Sequence, residues 1–213
     1  MNAAATLPDM IPLVVLRHGP TDWNEAGRIQ GRSDRALSEA GRALVTRWRL
    51  PDGLESWSWF VSPLGRARET AALLGHQDAT VEAALIEMHW GAWEGRQLDQ
   101  LRARDPDAMA DNEARGLDFR PSGGESPRDV QRRLLPWLAR LAEAGRPSVA
   151  VCHKGVIRAL YALASGWDLR GKAPEKLRDN CAHRFAVADS GRVTVDRLNI
   201  PLVDVPSTAK GEA

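Results

Sequence analysis

The chain has 213 residues, with 29 Lys and Arg against 28 Asp and Glu, a formal net charge of +1 and only two cysteines. That length can bury one sizeable core without a second domain, so residues 1–213 are read as one domain whose core spans about 11–200. Balanced charge excludes a global field for nucleic acid or an anionic membrane, and Cys152 with Cys181 form neither a secreted disulfide framework nor a Cys-x-x-Cys site.

The opening MNAAATLPDMIPLVVL carries no basic leader, and its apolar part ends at an arginine within a few residues. It is too short for a membrane span, which predicts a cytoplasmic protein. Ile11 to Leu16 is an unbroken, branched apolar run that suits a central strand covered on both faces. Leu37-Ser38-Glu39 opens a helical pattern through Arg49, with Ser38 as N-cap and Pro51 closing it. A second strand is expected over Trp57 to Val61. Ser62-Pro63 reads as a helix start, a hydroxyl cap followed by proline at the first position, with Gly75 at the end.

A polar middle section follows. Ser126-Pro127 then starts a helix toward Gly145, in which Pro136 should force a kink or a break. Ser148 to Cys152 is a second buried-type strand and Val156 to Ala164 a helix. Phe185 to Ala188 and Val193 to Leu198 read as strands joined by a tight Asp189-Ser190-Gly191 turn. The tail after Pro206 is expected to be loose. This β/α alternation predicts a three-layer α/β/α domain with a mostly parallel central sheet.

In open α/β sheets ligands bind beyond the carboxyl ends of the strands. Three such places are unusually polar: Arg17-His18-Gly19, Ser62 followed by Arg66, and Cys152-His153-Lys154-Gly155. Fixed guanidiniums repel a metal cation, and no metal-ligand spacing is present, so no metal is expected. An anion is the natural guest. Arginine presents paired donors that match phosphate oxygens, each charge-assisted bond contributing roughly 1.5–3 kcal/mol.

Neutral imidazole is a good nucleophile near neutral pH, so His18 could accept a phosphoryl group covalently. Arg17, Arg66, Asn24 and His153 could supply donors to the transferring oxygens, while Gly19 and Gly155 let backbone approach. The leaving oxygen needs a proton. Leu85 to Arg96 offers Glu87 at the end of an apolar stretch, where desolvation raises a carboxyl pKa, with Glu94 as rival and His89 as a weaker one. Cys152, inside Val-Ala-Val-Cys, reads as core rather than as a thiol nucleophile. Trp23 and Trp90 are candidate rim residues, His76 and His183 structural or exposed, and Arg102, Arg104 and Arg115 candidates for a substrate's non-reacting end.

These segments together resemble the histidine phosphatase superfamily, also called phosphoglycerate mutase-like. Leu16-Arg17-His18-Gly19 with Thr21, Trp23-Asn24, Gly31 and Leu37-Ser38-Glu39-Ala40-Gly41 resembles its opening, and Ser62-Pro63-Leu64-Gly65-Arg66-Ala67 its second phosphate-binding element. Glu87 with Gly91-Ala92-Trp93-Glu94-Gly95 resembles the acid element, and Pro121-Ser122-Gly123-Gly124-Glu125-Ser126 the glycine-rich loop. Val151-Cys152-His153-Lys154-Gly155-Val156-Ile157-Arg158 resembles the second-histidine element. Five ordered motifs between about Leu13 and Leu160 are far more specific than any one alone.

The resemblance implies a phosphorylated nucleophile at His18, phosphoryl contacts from Arg17, Asn24, Arg66 and His153, a proton donor at Glu87, and no cofactor. Pro20 stands where the family often has an acidic residue and Lys154 where it often has glycine, so the next loop's shape is open. Lys154 either strengthens anion binding or, the favoured reading, points to solvent.

The expected function is a phosphomonoesterase acting on a small phosphorylated metabolite through phosphohistidine. A phosphoglycerate mutase-type transferase and a non-catalytic phosphate-binding module are the alternatives. A small-molecule monoester is the expected partner, with nucleic acid and membrane excluded and an oligomer not indicated.

Overall fold

The computed structural model describes residues 10–202. Six strands form one sheet in the order β3-β2-β4-β1-β5-β6, with β1 at Ile11–Arg17, β2 at Ser58–Val61, β3 at Thr80–Val81, β4 at Ser148–Cys152, β5 at Cys181–Val187 and β6 at Val193–Pro201. The pairings β3-β2, β2-β4 and β4-β1 are parallel, whereas β1-β5 and β5-β6 are antiparallel. The sheet is therefore mostly parallel.

Its layering follows from the alternation of side chains along the central strands. Leu13 and Val15 of β1, with Ala150 and Cys152 of β4, face one way onto helices α6 (Pro127–Ala144) and α7 (Lys154–Ser165). Val14 and Leu16, with Val149 and Val151, face the other way onto α2 (Glu39–Val45) and α3 (Gly65–Leu73). A strand covered on both faces has no polar side, which is why β1 and β4 read as unbroken apolar runs. Three layers result, as the sequence predicts.

Several expectations need correction. The helix from Ser38 keeps that N-cap, whose Oγ accepts from the Gly41 N–H at 2.9 Å, but it ends at Val45 rather than Arg49. The Arg49 N–H instead donates to the carbonyl of Leu202, beyond β6. Ser62 does not cap α3. Its N–H still donates to Val151 of β4 at 3.0 Å, the helix starts at Gly65, and the Asp34 carboxylate accepts from the Gly65 N–H at 2.7 Å.

Pro136 does not break α6, which runs unbroken for 18 residues behind a Ser126/Asp129 capping box. Pro136 and Arg132 lie on its exposed face, where water can take the carbonyl that loses its partner. The polar middle section holds two helices, α4 (Leu98–Arg104) and α5 (Pro106–Glu113), while α1 is one turn, Asp22–Glu25. Between them α4 and α5 bury only Met109, so they carry little apolar periodicity. The tail after Pro206 lies outside the described residues.

Candidate active site

The site is assembled by strand register. Arg17 of β1 pairs with Cys152 of β4, so His18 and His153 leave the sheet side by side, and the His18 N–H donates to the Cys152 carbonyl at 3.0 Å. Val61 of β2 pairs with Val151, which brings Ser62 next to them. All three segments therefore emerge at the carboxyl edge of neighbouring parallel strands, where an open sheet leaves a crevice.

His18 is nearly buried, and its ring lies 5.1 Å from that of His153. Its Nδ1 is 2.7 Å from the Gly19 carbonyl, an acceptor only, so this nitrogen carries the hydrogen and Nε2 keeps its lone pair. The Arg66 Nε–H points at that lone pair from 3.2 Å. Burial, then Arg17, then Arg66, hold the His18 pKa well below the ordinary histidine range. The neutral, nucleophilic form therefore dominates even in mild acid.

Arg66 is 1 % exposed and is fixed on its other side by the carbonyls of Gly31 at 2.7 Å and Ser33 at 3.0 Å. Thr70, one turn further along α3, donates to the Arg66 carbonyl and accepts from the Gly19 N–H. The loop after β1 and the helix after β2 are thereby tied together. No sequence signal pointed to Thr70.

His153 is fully buried, with Nε2 2.7 Å from the Ser62 Oγ. That hydroxyl accepts from the Leu64 N–H and can give its own proton to Nε2, the tautomer that puts the imidazole hydrogen on Nδ1. Among the described residues Nδ1 has no hydrogen-bond partner, and neither does the buried Nε of Arg17. In that tautomer His153 and Arg17 each hold a buried N–H without a partner, which is costly unless an acceptor arrives. Arg17 spends Nη1 on Asp179 at 2.7 Å, a partner the sequence did not suggest.

Glu87 is 8 % exposed, and its carboxylate accepts from the Met88 N–H at 2.7 Å and the Gly155 N–H at 3.1 Å. These bonds and the nearby Arg66 and Arg17 favour the charged form, but burial outweighs them and raises the pKa. Gly155 suits this place because a Cβ would meet the Glu87 Oε1 and displace the carboxylate from its amide donors. The rival Glu94 is different. It accepts from the N–H groups of Arg32, Ser33 and Trp90 and from the Ser33 hydroxyl, which lowers its pKa against burial. Glu94 is a brace that shapes the loop whose carbonyls grip Arg66. Glu94→Ala is expected to destabilise the fold by about 2–4 kcal/mol by stranding part-buried donors, measured by denaturant unfolding. His89, half-buried, lies 3.8 Å from Glu94 and donates its backbone N–H to Glu125.

A cavity of about 430 Å³ opens above this cluster, lined among others by Arg17, His18, Asn24, Arg28, Lys154 and Asp179. Arg66, Glu87 and His153 are not among its lining residues; Arg66 and His153 adjoin it through the His18 ring. Asn24 is presented by α1, where its side-chain oxygen accepts from the Thr21 N–H in a capping box. Lys154, expected to favour solvent, is exposed yet on the cavity wall, because it follows His153 directly at the start of α7. Pro20 also lines the cavity, and its carbonyl accepts from the Ser38 N–H.

Other expectations sort by packing. Trp23 and Trp90 are not on the cavity rim: Arg35 lies over the Trp23 ring, and Trp90 packs against Trp93 and Phe119. Arg102, Arg104 and Arg115 lie away from it too, and Arg102 pairs with Glu113 across α4 and α5. Burial pushes the Cys152 thiol up, as core placement demands. His76 stacks on Trp59, and His183 is buried with a pKa lowered to about 4. No grouping of three His, Cys, Asp or Glu able to hold a metal occurs among the described residues.

The sequence model of the histidine phosphatase superfamily (branch 1) matches residues 13–201. The chain belongs to the histidine phosphatase superfamily. Among its relatives, the glucosyl-3-phosphoglycerate phosphatase of Mycobacterium tuberculosis (strain ATCC 25618 / H37Rv) is 38 % identical over 165 residues, covering 70 % of this chain and 73 % of that one. A 2,3-bisphosphoglycerate-dependent phosphoglycerate mutase of Methylobacterium radiotolerans is 35 % identical over 167 residues, covering 72 % and 79 %. The solved complex of mycobacterial glucosyl-3-phosphoglycerate phosphatase with inorganic phosphate superposes with a TM-score of 0.71 at 30 % identity, covering 90 % of this chain and 98 % of that chain. Both phosphatases and mutases thus occur among histidine phosphatase relatives of this chain. No helix among the described residues is long and apolar enough to cross a membrane.

Proposed function

We propose that this chain is a phosphomonoesterase that hydrolyses small phosphorylated metabolites through a phosphohistidine at His18. One observation carries this reading: the His18 Nε2 lone pair, met here only by the Arg66 Nε–H, shares its cluster with two buried nitrogens that lack a partner among the described residues, Nε of Arg17 and Nδ1 of His153, a donor in the tautomer that accepts the Ser62 proton. A phosphoryl group is an anion that both satisfies those donors and accepts attack from that nitrogen.

In the first step the Nε2 lone pair attacks phosphorus as the P–O bond to the alcohol breaks, and Glu87 gives its proton to the departing oxygen. As the monoester enters, Arg66 exchanges its hydrogen bond to Nε2 for one to a phosphate oxygen. Arg17, Asn24 and His153 take the others, where charge develops in the transition state. In the second step Glu87, now a carboxylate, takes a proton from water, which attacks phospho-His18 and releases inorganic phosphate. Arg17→Ala and Arg66→Ala are each expected to lower kcat/KM on the order of 10²–10³ if these preorganised charges act as assigned, measured by steady-state phosphate release.

A mutase must instead keep the phosphoryl group and return it to a bound product. The middle of this chain holds only the short helices α4 and α5, which supports hydrolysis over a substrate-enclosing transferase site. The test is rapid quench with a labelled monoester. Label appearing on His18, followed by steady phosphate release without a bisphosphate primer, is the expected result. Release that needs the primer would make the protein a mutase, and no label at all would leave a binding module. Residues 1–213 are read as one domain with its core over about 11–200, in a cytoplasmic protein, in keeping with Cys152 and Cys181 both being free.

A further inference from the structure

A second cavity, also of about 430 Å³, adjoins the first and shares Arg17, Lys154, Asp179 and Cys181 with it. Its wall carries Lys154, Arg158, Lys172, Lys176 and Arg178, and none of these five forms a salt bridge among the described residues. The one acidic residue on this wall, Asp179, is already engaged by Arg17. All five residues are exposed, and like charges gathered around a concavity repel each other, so the arrangement favours an anion between them. Arg158 is also held in place: its guanidinium lies over the Trp167 ring at 5.1 Å from the centroid. Lys154 and Arg158 are four residues apart on α7, one above the other on the same face and about 6 Å apart along its axis.

Resting on the phosphatase reading, we propose that this second cavity is a specificity subsite for another anionic group of the same substrate, about one helix turn from the phosphoryl group being transferred. The preferred substrates are then phosphate monoesters that carry a carboxylate or second phosphate on a short spacer, in preference to neutral monoesters. Shared walls make one molecule spanning both cavities the simplest occupant. The segment between α7 and β5 brings no carboxylate other than Asp179 to this wall, so the cations there outnumber the built-in counter-charge.

The test compares three matched series of increasing chain length: phosphate esters of ω-hydroxy acids, of α,ω-diols, and of ω-hydroxyalkyl phosphonates, the last offering a second anion that cannot itself be hydrolysed. At one spacer length kcat/KM is expected to favour an anionic ester over its neutral diol counterpart by about tenfold or more. The carboxylate and phosphonate arms tell which anion fits. A K172Q/K176Q/R178Q variant on the exposed segment, and R158Q separately, are expected to remove that preference while p-nitrophenyl phosphate, which has no second anion, is turned over within about twofold of the parent rate. Equal kcat/KM for charged and neutral esters at every length, or a preference that survives both variants, overturns the subsite. Absence of p-nitrophenyl phosphate turnover in the parent would instead strike at the phosphatase reading.

Discussion

His18→Ala is expected to abolish turnover, with a loss on the order of 10⁵–10⁶ in kcat, while the protein still folds. The imidazole is the group that forms the bond to phosphorus, and no other side chain in the cluster replaces it: His153 is fully buried with Nε2 held by Ser62, and in the tautomer that accepts the Ser62 proton its Nδ1 carries a hydrogen, not a lone pair. The ring makes two side-chain hydrogen bonds, to the Gly19 carbonyl and from Arg66, so its removal costs stability on the scale of an ordinary buried truncation, about 1–3 kcal/mol. Rapid-quench labelling should find no acid-labile phosphoprotein in the variant, and circular dichroism should be unchanged. Residual turnover near the parent rate would mean that water attacks the monoester directly, with His18 merely lining the cavity.

Glu87→Gln is expected to cost about 10²–10⁴ on alkyl phosphates and less than about tenfold on p-nitrophenyl phosphate. An alkoxide needs a proton as it leaves, whereas a nitrophenolate does not, so only the first ester loses the acid's contribution in the bond-breaking step. The pH profile supplies an independent check. The pKa of His18 is lowered, chiefly by burial and then by Arg17 and Arg66, so the nucleophile is inactivated by protonation only below that lowered value. The pKa of Glu87 is raised, chiefly by burial, so the acid stays protonated above the usual carboxylate range and loses its proton as pH climbs through the raised value. kcat/KM for an alkyl ester should therefore fall on both sides of an acidic optimum. In Glu87→Gln the alkaline limb should vanish and the acid limb remain. The two limbs report apparent constants of interacting groups, which is why the variant comparison decides. If alkyl and aryl esters suffered equally, Glu87 would be a structural carboxylate bound to the Met88 and Gly155 amides and nothing more.

The two candidate carboxylates show how far composition carries such an assignment. Glu87 and Glu94 stand seven residues apart among the same tryptophans, and both are polar groups in an apolar stretch. Their separation is tertiary. Glu94 receives four donors, three of them from loop residues Arg32 and Ser33, and is held charged. Glu87 receives two amide donors in a fully enclosed place, and desolvation prevails. A sequence lists the carboxylates but not the number of hydrogens that will point at each one.

By itself the sequence determined the layered fold and the polar ends of its strands. Short, branched apolar runs at Ile11 to Leu16 and Ser148 to Cys152 suit strands buried on both faces, and the residues that follow such strands open into a crevice. The ordered motifs carrying Arg17, His18, Arg66, Glu87 and His153 were legible for the same reason: each is local, a few residues after an element whose period is plain. Only the tertiary structure decided what meets what. Ser62 as the partner of His153 rather than a helix cap, Thr70 as a tie between two phosphate-facing segments, Asp179 on Arg17, and a cationic wall drawn from α7 and the segment before β5 all depend on contacts across 51 to 162 positions or on the shape of a cavity. Hydrophobic periodicity records which face a residue turns to the core, and it carries no information about which distant polar atom will lie opposite.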